Sequence, residues 1–550
     1  MPQAAEDVES TPISIPQSQS PLPSIPIPSI PLPSIPLPSV PIPSIPIPTI
    51  PPTTQYIESS SSDIVVPESN TTVIVPEGRL VRLYYENFHS AHPILIPAGL
   101  YDKTKAAACL HQVVTFIGSH YSLVMSNDTL HEATWLAVSS VEERTPATVQ
   151  ALLLYSIIMR ARNEITRAES CLTQAIDIAV ELGMHRDGFA VAAASSEHEA
   201  ESLRRTWWEL FIWEVQLATV QEGIPLRCSQ LFSDVLLPCE ETTYASPSSQ
   251  TIPPPQSLAS FRARIFTEEE EDEEGGESKE KKKSSRYSSF AYRIEAARIL
   301  ARVLVLNRLP ETHQDHLQAV ANALVSWMHH LPECKLDIVD MFGTIDEMLF
   351  QAHYTIRYAA MLLHLPRSNL RPRLPESPFA ICPRTPVRLS PSLTRQVHDI
   401  KTVEASKQLS NLFSMRSGAQ GTSPLAVCGL MLCGLVQLAA AERHGAECLD
   451  HHQNRLVLVL GYLRILRSKW ALAHEAYARL RATAAQTAAT ATSEYSPFES
   501  RSTPTQANPL PLAEDEMNEA VSWSNLFSEY IDPTCGDSLS LYLNPERNYM

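Results

Sequence analysis

Glycine is scarce in this chain, with 16 in 550 residues, so there is little material for tight hairpins or phosphate-cradling loops. No Gly-x-x-x-x-Gly-Lys-Ser/Thr loop, Gly-x-Ser-x-Gly elbow or His-Glu-x-x-His motif occurs. His131-Glu132 is followed by Ala133, Thr134 and Trp135, so the second histidine of a zinc-protease helix is missing. Cysteine is also thin: ten residues, none before Cys109, and no Cys-x-x-Cys. That excludes a disulfide scaffold and points to a reduced, intracellular setting. Positive charge is in deficit, 43 Lys and Arg against 61 Asp and Glu, for a net charge of −18. Such a surface argues against unaided, sequence-independent binding of nucleic acid. Long apolar runs are nearly absent. Leu425 to Ala441 is uncharged, but its length is at the lower edge of a membrane span and it contains Gln437, so a buried bundle helix is the expectation. MPQAAEDVES carries no basic or apolar region of a secretory signal. Sustained period-two alternation is missing too, which sets the expected class as all-α.

What the chain does contain is proline, 44 residues, many of them in a five-residue repeat over 23–52. Proline at this density forbids helix and sheet ladders and leaves polyproline II, read here as a stiff spacer or a ligand for proline-reading domains. The segment 1–77 is therefore expected to be disordered. Helices are expected over most of 78–240 and 288–483. Thr145-Pro146 reads as a helix start, Gly183 as a C-cap, and Arg455 to Ala482 as one helix. Between the halves, 241–287 reads as a disordered insertion. It holds the acidic run Glu268 to Glu274 and a basic cluster, Lys279, Lys281, Lys282, Lys283 and Arg286. The cluster is either a nuclear localisation signal or the positive half of a self-neutralising loop. Segment 484–550 is expected to be a disordered tail. Its Trp523, Leu526, Phe527 and Tyr530 interleave with acids at helical spacing, as in an acidic activation segment, or form a helix folded back on the bundle.

The most informative stretch runs from Glu201 to Pro238. Paired arginines, Arg204 and Arg205, precede paired tryptophans, Trp207 and Trp208. Glu214 follows, then Gly223 and Pro225 as the expected helix stop, then Asp234 and Pro238. Tryptophans on such a helix are read as core residues. The arrangement resembles the fungal-specific transcription factor regulatory domain, an all-helical region that usually follows a zinc cluster. Glu214 stands where that family usually has aspartate, and Ile224 replaces the arginine of its Gly-Arg-Pro. Three further stretches are similar to the family: Leu80 to Pro93, with Tyr84, Tyr85, Phe88 and His89; Leu182 to Asp187, with Gly183, His185, Arg186 and Asp187; and residues 423–441, where Ser423-Pro424 resembles the start of a buried helix near the end of that domain. His89 and His92 are assigned to packing and capping rather than to a metal. His185 is expected to place a cation at the preceding helix C-terminus, with Arg186 and Asp187 fixing the chain's exit.

The resemblance implies a nuclear transcriptional regulator of RNA polymerase II genes rather than an enzyme, with pathway-specific control such as secondary metabolism as its setting. It implies no catalytic or metal residues and no cofactor. Zinc would enter only with an N-terminal cluster missing from these residues, because no six-thiolate site can be built before Cys109. DNA would then be reached through a partner or that missing domain. Other expected partners are transcription factors or co-regulators, a small-molecule effector and a second copy of the chain; no membrane is expected. The rival readings are a biosynthetic or metabolite-binding enzyme built on a helical bundle, and a non-transcriptional scaffold.

Overall fold

A computed structural model describes residues 76–494, apart from 222, 247–251, 267–286, 310–313, 373–393, 417 and 445–448. The proline repeat, the basic cluster at 279–286 and the aromatic tail residues at 523–530 lie outside the described residues. Within them the secondary structure is helical, and the only β-pairings are two isolated bridges, Leu237–Gln256 and Val339–Ile345. The fold class is all-α.

The first half begins with α1 (Glu77–Tyr84), which runs directly into a π turn at Tyr85–His89, then α2 (Ala108–Ser119) and α3 (Asp128–Ser139). Next come α4 (Pro146–Ala161), α5 (Ile165–Leu182), α6 (Asp187–Ala193) and α7 (Glu197–Leu217). Thr145 caps α4 by accepting the Thr148 N–H, with Pro146 in the first turn. Gly183 ends α5 at φ +82°, a left-handed conformation that glycine adopts without steric cost. α5 turns Ala168, Leu172, Ala175, Ile176 and Ala179 inward, the helical stripe expected of an amphipathic element. Gly118 is needed for a different reason. A Cβ there would lie 2.0 Å from the carbonyl oxygen of Leu80, so only glycine lets α2 press against α1.

Short helices α8 (Arg227–Gln230), α9 (Glu241–Ala245) and α10 (Leu258–Phe266) lead to the second half. It comprises α11 (Ser289–Arg308), α12 (Gln314–His329), α13 (Glu347–His364), α14 (Arg395–Ser414), α15 (Ala426–His444), α16 (Leu449–Leu466) and α17 (Ala471–Glu494). α13 packs along α11 and α14, and α15, α16 and α17 pack on one another. α7 touches α4 and α5 on one side and α11 on the other, and α17 returns to α4. Trp470, just before α17, closes the ring of contacts edge-on to Tyr121 at 5.8 Å. α15 is the one helix among the described residues long and apolar enough to cross a membrane. Here it is a core helix: Ala426 through Ala441 are buried, and Gln437 donates to Ser406 Oγ and pairs with His452.

Four expectations need correction. The helix of the Arg-Trp stretch ends at Leu217, not at Gly223, because Arg308 of α11 reaches back and bonds the free carbonyls of Ala218 and Ile224. Part of 241–287 is ordered: Tyr244 of α9 and Phe261 of α10 are buried anchors, the phenyl ring 5.0 Å from both Tyr287 and Tyr292. Residues 455–482 form two helices rather than one, broken where Trp470 turns into the core. α17 also continues through 484–494, where the tail was expected to begin.

Burial holds His89 down at about 3 and His120 at about 4, against an ordinary value of 6.5. Both folded-state values lie below the unfolded one. Their stabilising effect is therefore complete above about pH 6.5 and is lost as pH falls from there through about 4, by up to roughly 3 kcal/mol per residue. The thermal midpoint should drop between pH 6.5 and 4.5, and drop by less in His120→Phe. Equal slopes for the two proteins would refute the assignment.

Candidate functional site

Ser196 starts α7 by accepting the Glu199 N–H at 3.2 Å, and the Glu199 carboxylate takes the Ser195 N–H at 2.7 Å, a reciprocal cap. From Ala200 to Leu217 every side chain is buried. A helix buried on all sides should be apolar. This one carries Glu201, Arg204, Arg205, Glu209 and Glu214, so each charge has to be met by a partner, within the helix or brought in from elsewhere in the chain.

Arg205 is fully buried and meets five groups. Its Nε donates to Glu201 at 2.9 Å, and its terminal nitrogens donate to the carbonyls of Pro93 at 3.2 Å and Cys239 at 3.1 Å. It also pairs with Glu241, and its guanidinium lies 3.9 Å from the Tyr244 ring centroid. Burial opposes its charge, but Glu241 and Glu201 outweigh it and hold the guanidinium above its ordinary value. Arg204 sits 3.5 Å from both Glu201 and Asp187. The tryptophans are core residues: Trp208 donates to the Leu236 carbonyl at 3.0 Å and Trp213 to Ser156 Oγ at 2.8 Å. Trp207 packs with its ring 5.9 Å from that of His185.

Residues marked by the resemblance at separate places in the chain meet here. Asp187 N–H donates to Asp234 at 3.1 Å, and Leu236 N–H donates back to Asp187 at 3.3 Å. Val235 and Leu237 are buried, and the Pro238 carbonyl accepts from Ser288 at the start of α11. Arg186 stacks over Phe232 at 5.4 Å. Glu214 accepts the N–H groups of Arg227 and Cys228 at 2.8 and 2.9 Å, folding the Gly223–Pro225 loop back so that α8 begins on its carboxylate. Burial pushes that carboxyl up to about 7, against the downward pull of the two N–H donors. Gly223 and Pro225 themselves are exposed loop residues. Burial, then Arg186, lowers the pKa of His185, and its ring packs on Trp207.

The strongest constellation was not anticipated. Glu209 of α7 takes a two-pronged bond from Arg293 of α11 at 2.5 and 2.9 Å, with both side chains at most 1% exposed. His92, after the π turn, approaches the same carboxylate with Nδ1 at 2.7 Å, and its Nε2 is 3.0 Å from Ser423 Oγ, three residues before α15. Burial works against the charge of Glu209, yet Arg293 and His92 hold it at about 2, while burial keeps His92 below its ordinary value. Both ring nitrogens of His92 therefore have a buried polar partner, the carboxylate at Nδ1 and the Ser423 hydroxyl at Nε2. The sequence signal was a glutamate directly after the tryptophan pair, but nothing local marks Arg293, 84 residues away, as its partner.

No group of three or more His, Cys, Asp or Glu side chains able to hold a metal is formed among the described residues. Nucleophile, base and oxyanion donors do not converge in this network; its chemistry is positional.

Residues 81–345 match the family model of the fungal specific transcription factor domain. The chain carries a domain of that family. A C6 finger domain transcription factor of Pestalotiopsis fici, iacK, is 26% identical over 415 residues, covering 74% of this chain and 59% of that protein. Transcription factor asqA of Emericella nidulans is 26% identical over 166 residues, 29% of either chain. An uncharacterised transcriptional regulatory protein of Schizosaccharomyces pombe is 30% identical over 101 residues, 18% of this chain and 12% of that one. The chain thus spans about three fifths of the length of the first of these relatives and much less of the other two. No solved structure matches it significantly. The matched segment ends before α13, but Ser423 and helices α13 to α17 complete the packing around it.

Arg293→Met or Glu209→Gln alone should cost about 3–5 kcal/mol, because each leaves a buried group without its partner. The double variant should lose less than the sum of the two. Urea denaturation of all four proteins measures this, and simple additivity would sink the pairing.

Proposed function

We propose that this chain is a nuclear regulator of RNA polymerase II transcription of the fungal type, working through its helical domain rather than by catalysis. The observation that carries the reading is the family match over 81–345, with relatives named as transcription factors. The interior of α7 supports it further, since its charged residues have structural partners: Arg205 on Glu201, Glu209 on Arg293, Glu214 on two backbone N–H groups. In this reading the bundle restrains or releases the regulator's output, and its setting is pathway-specific control such as secondary metabolism. DNA is reached through a partner chain or through a zinc cluster outside these residues. Co-regulators contact the acidic-aromatic segment at Trp523, Leu526, Phe527 and Tyr530, and the basic cluster from Lys279 to Arg286 directs nuclear entry.

Two measurements test this. Residues 495–550 fused to an unrelated DNA-binding domain should activate a reporter in a fungal host, and a Trp523→Ala, Phe527→Ala pair should abolish most of that activity. A silent fusion refutes the activation role. Full-length protein with Lys279, Lys281, Lys282, Lys283 and Arg286 all changed to alanine should lose nuclear accumulation, and unchanged accumulation removes the cluster from the proposal.

A further inference from the structure

A cleft of about 370 Å³ opens between α7, α8, α10, α11 and α12, and neither Glu209 nor Arg293 lines it. That volume suits a small organic ligand, and few sites of this kind occur on one domain. Its floor is apolar, formed chiefly by Phe211, Leu226, Leu306 and Val320, with Val305 half-exposed at the side. Among the described residues that line its wall, Arg262, Arg298 and Arg302 stand beside a single carboxylate, that of Glu295.

Glu295 is 1% exposed and pairs with Arg262 at 3.2 Å and with Arg298 at 3.4 Å. Burial pushes its carboxyl up, and the neighbouring arginines pull it back. Arg302 is exposed at the same wall and forms no ion pair with a described residue. An exposed guanidinium beside an apolar floor, in a concavity that weakens solvent screening, selects for negative charge attached to an apolar body.

We propose that this cleft binds a small amphipathic carboxylic acid, its apolar part against Phe211 and Leu226 and its carboxylate on Arg302 and Arg298. The assignment concerns binding alone and does not depend on the transcriptional reading. What that reading adds is a use for it, since an occupant would touch α7, α11 and α12 together.

Purified full-length protein is titrated calorimetrically with 4-phenylbutyrate and, as the uncharged control, 4-phenylbutan-1-ol. The acid should bind at least about tenfold more tightly than the alcohol, the difference expected for a charge-assisted hydrogen bond. Arg298→Gln with Arg302→Gln should remove that preference and leave alcohol binding in place. Val305→Trp, a change at a half-exposed position, should fill the cleft and abolish both. An unchanged thermal midpoint in each variant shows that the fold is intact. Equal affinity for acid and alcohol, no heat from the acid at millimolar concentration, or acid binding that survives both variants overturns the proposal. None of these readouts involves transcription, so failure here leaves the proposed function standing, and a silent reporter leaves the cleft standing.

Discussion

One buried ion pair, Glu209 with Arg293, holds the two halves of the bundle in register. Taking both charges out of water is expensive, and an apolar pair of similar volume would often be as stable. What an apolar pair would lack is direction. The planar guanidinium presents two parallel N–H groups to two carboxylate oxygens, which fixes both the rotation of α11 about its axis and its height along α7. His92 and Ser423 extend the same constraint to the chain after α1 and to the approach to α15. Four segments that are distant in sequence therefore share one polar centre, and sliding any one of them leaves a charge or a hydroxyl unsatisfied in the core.

The Arg-Arg-x-Trp-Trp stretch follows from the same logic. Because α7 is surrounded by protein, its polar side chains cannot turn to solvent, and each recruits a loop instead. Arg205 draws in Pro93, Cys239 and Glu241; Glu214 draws in the start of α8; Trp208 draws in Leu236. The Asp187 and Asp234 segments then lock to each other across the start of α6 and the approach to Pro238. Residues that read as a linear signature are the contact points of one helix with everything wrapped around it. This also explains why Glu214 can stand where related domains carry aspartate: the requirement is a carboxylate able to take two adjacent backbone N–H groups.

Helix class, the caps at Thr145 and Gly183, the buried character of Leu425 to Ala441 and the core role of the tryptophans were legible, because each depends on local periodicity or on a single residue's backbone preference. Features set by long-range partners were not. The end of α7 at Leu217 depends on Arg308, 90 residues beyond the Ala218 carbonyl it bonds. α9 and α10 were hidden in a Pro/Ser-rich stretch, since one buried aromatic each, Tyr244 and Phe261, outweighs the surrounding composition. His185 was read from its place at a helix end, and the ring it packs on, Trp207, is one that only folding brings near. His92 was expected to pack, but its place beside Glu209 and Ser423 could not be read from spacing.

α11 connects these observations mechanically. Near its start Arg293 grips Glu209; further along, Arg298, Ala301, Arg302 and Val305 wall the cleft; at its end Arg308 clasps the loop that follows α7. A helix with an intact hydrogen-bond ladder transmits displacement along its axis with little loss, and close-packed interiors respond by discrete repacking rather than by gradual deformation. An occupant that drew α12 toward α11 would thus load both grips on α7 at once. The two differ in tolerance. Arg308 bonds two carbonyls at the mouth of an exposed loop and can follow a small shift, whereas the Glu209–Arg293 pair is enclosed and admits only its present register. Strain introduced at the cleft is therefore expected to relax first where Arg308 holds the Ala218 and Ile224 carbonyls, rather than at the enclosed pair.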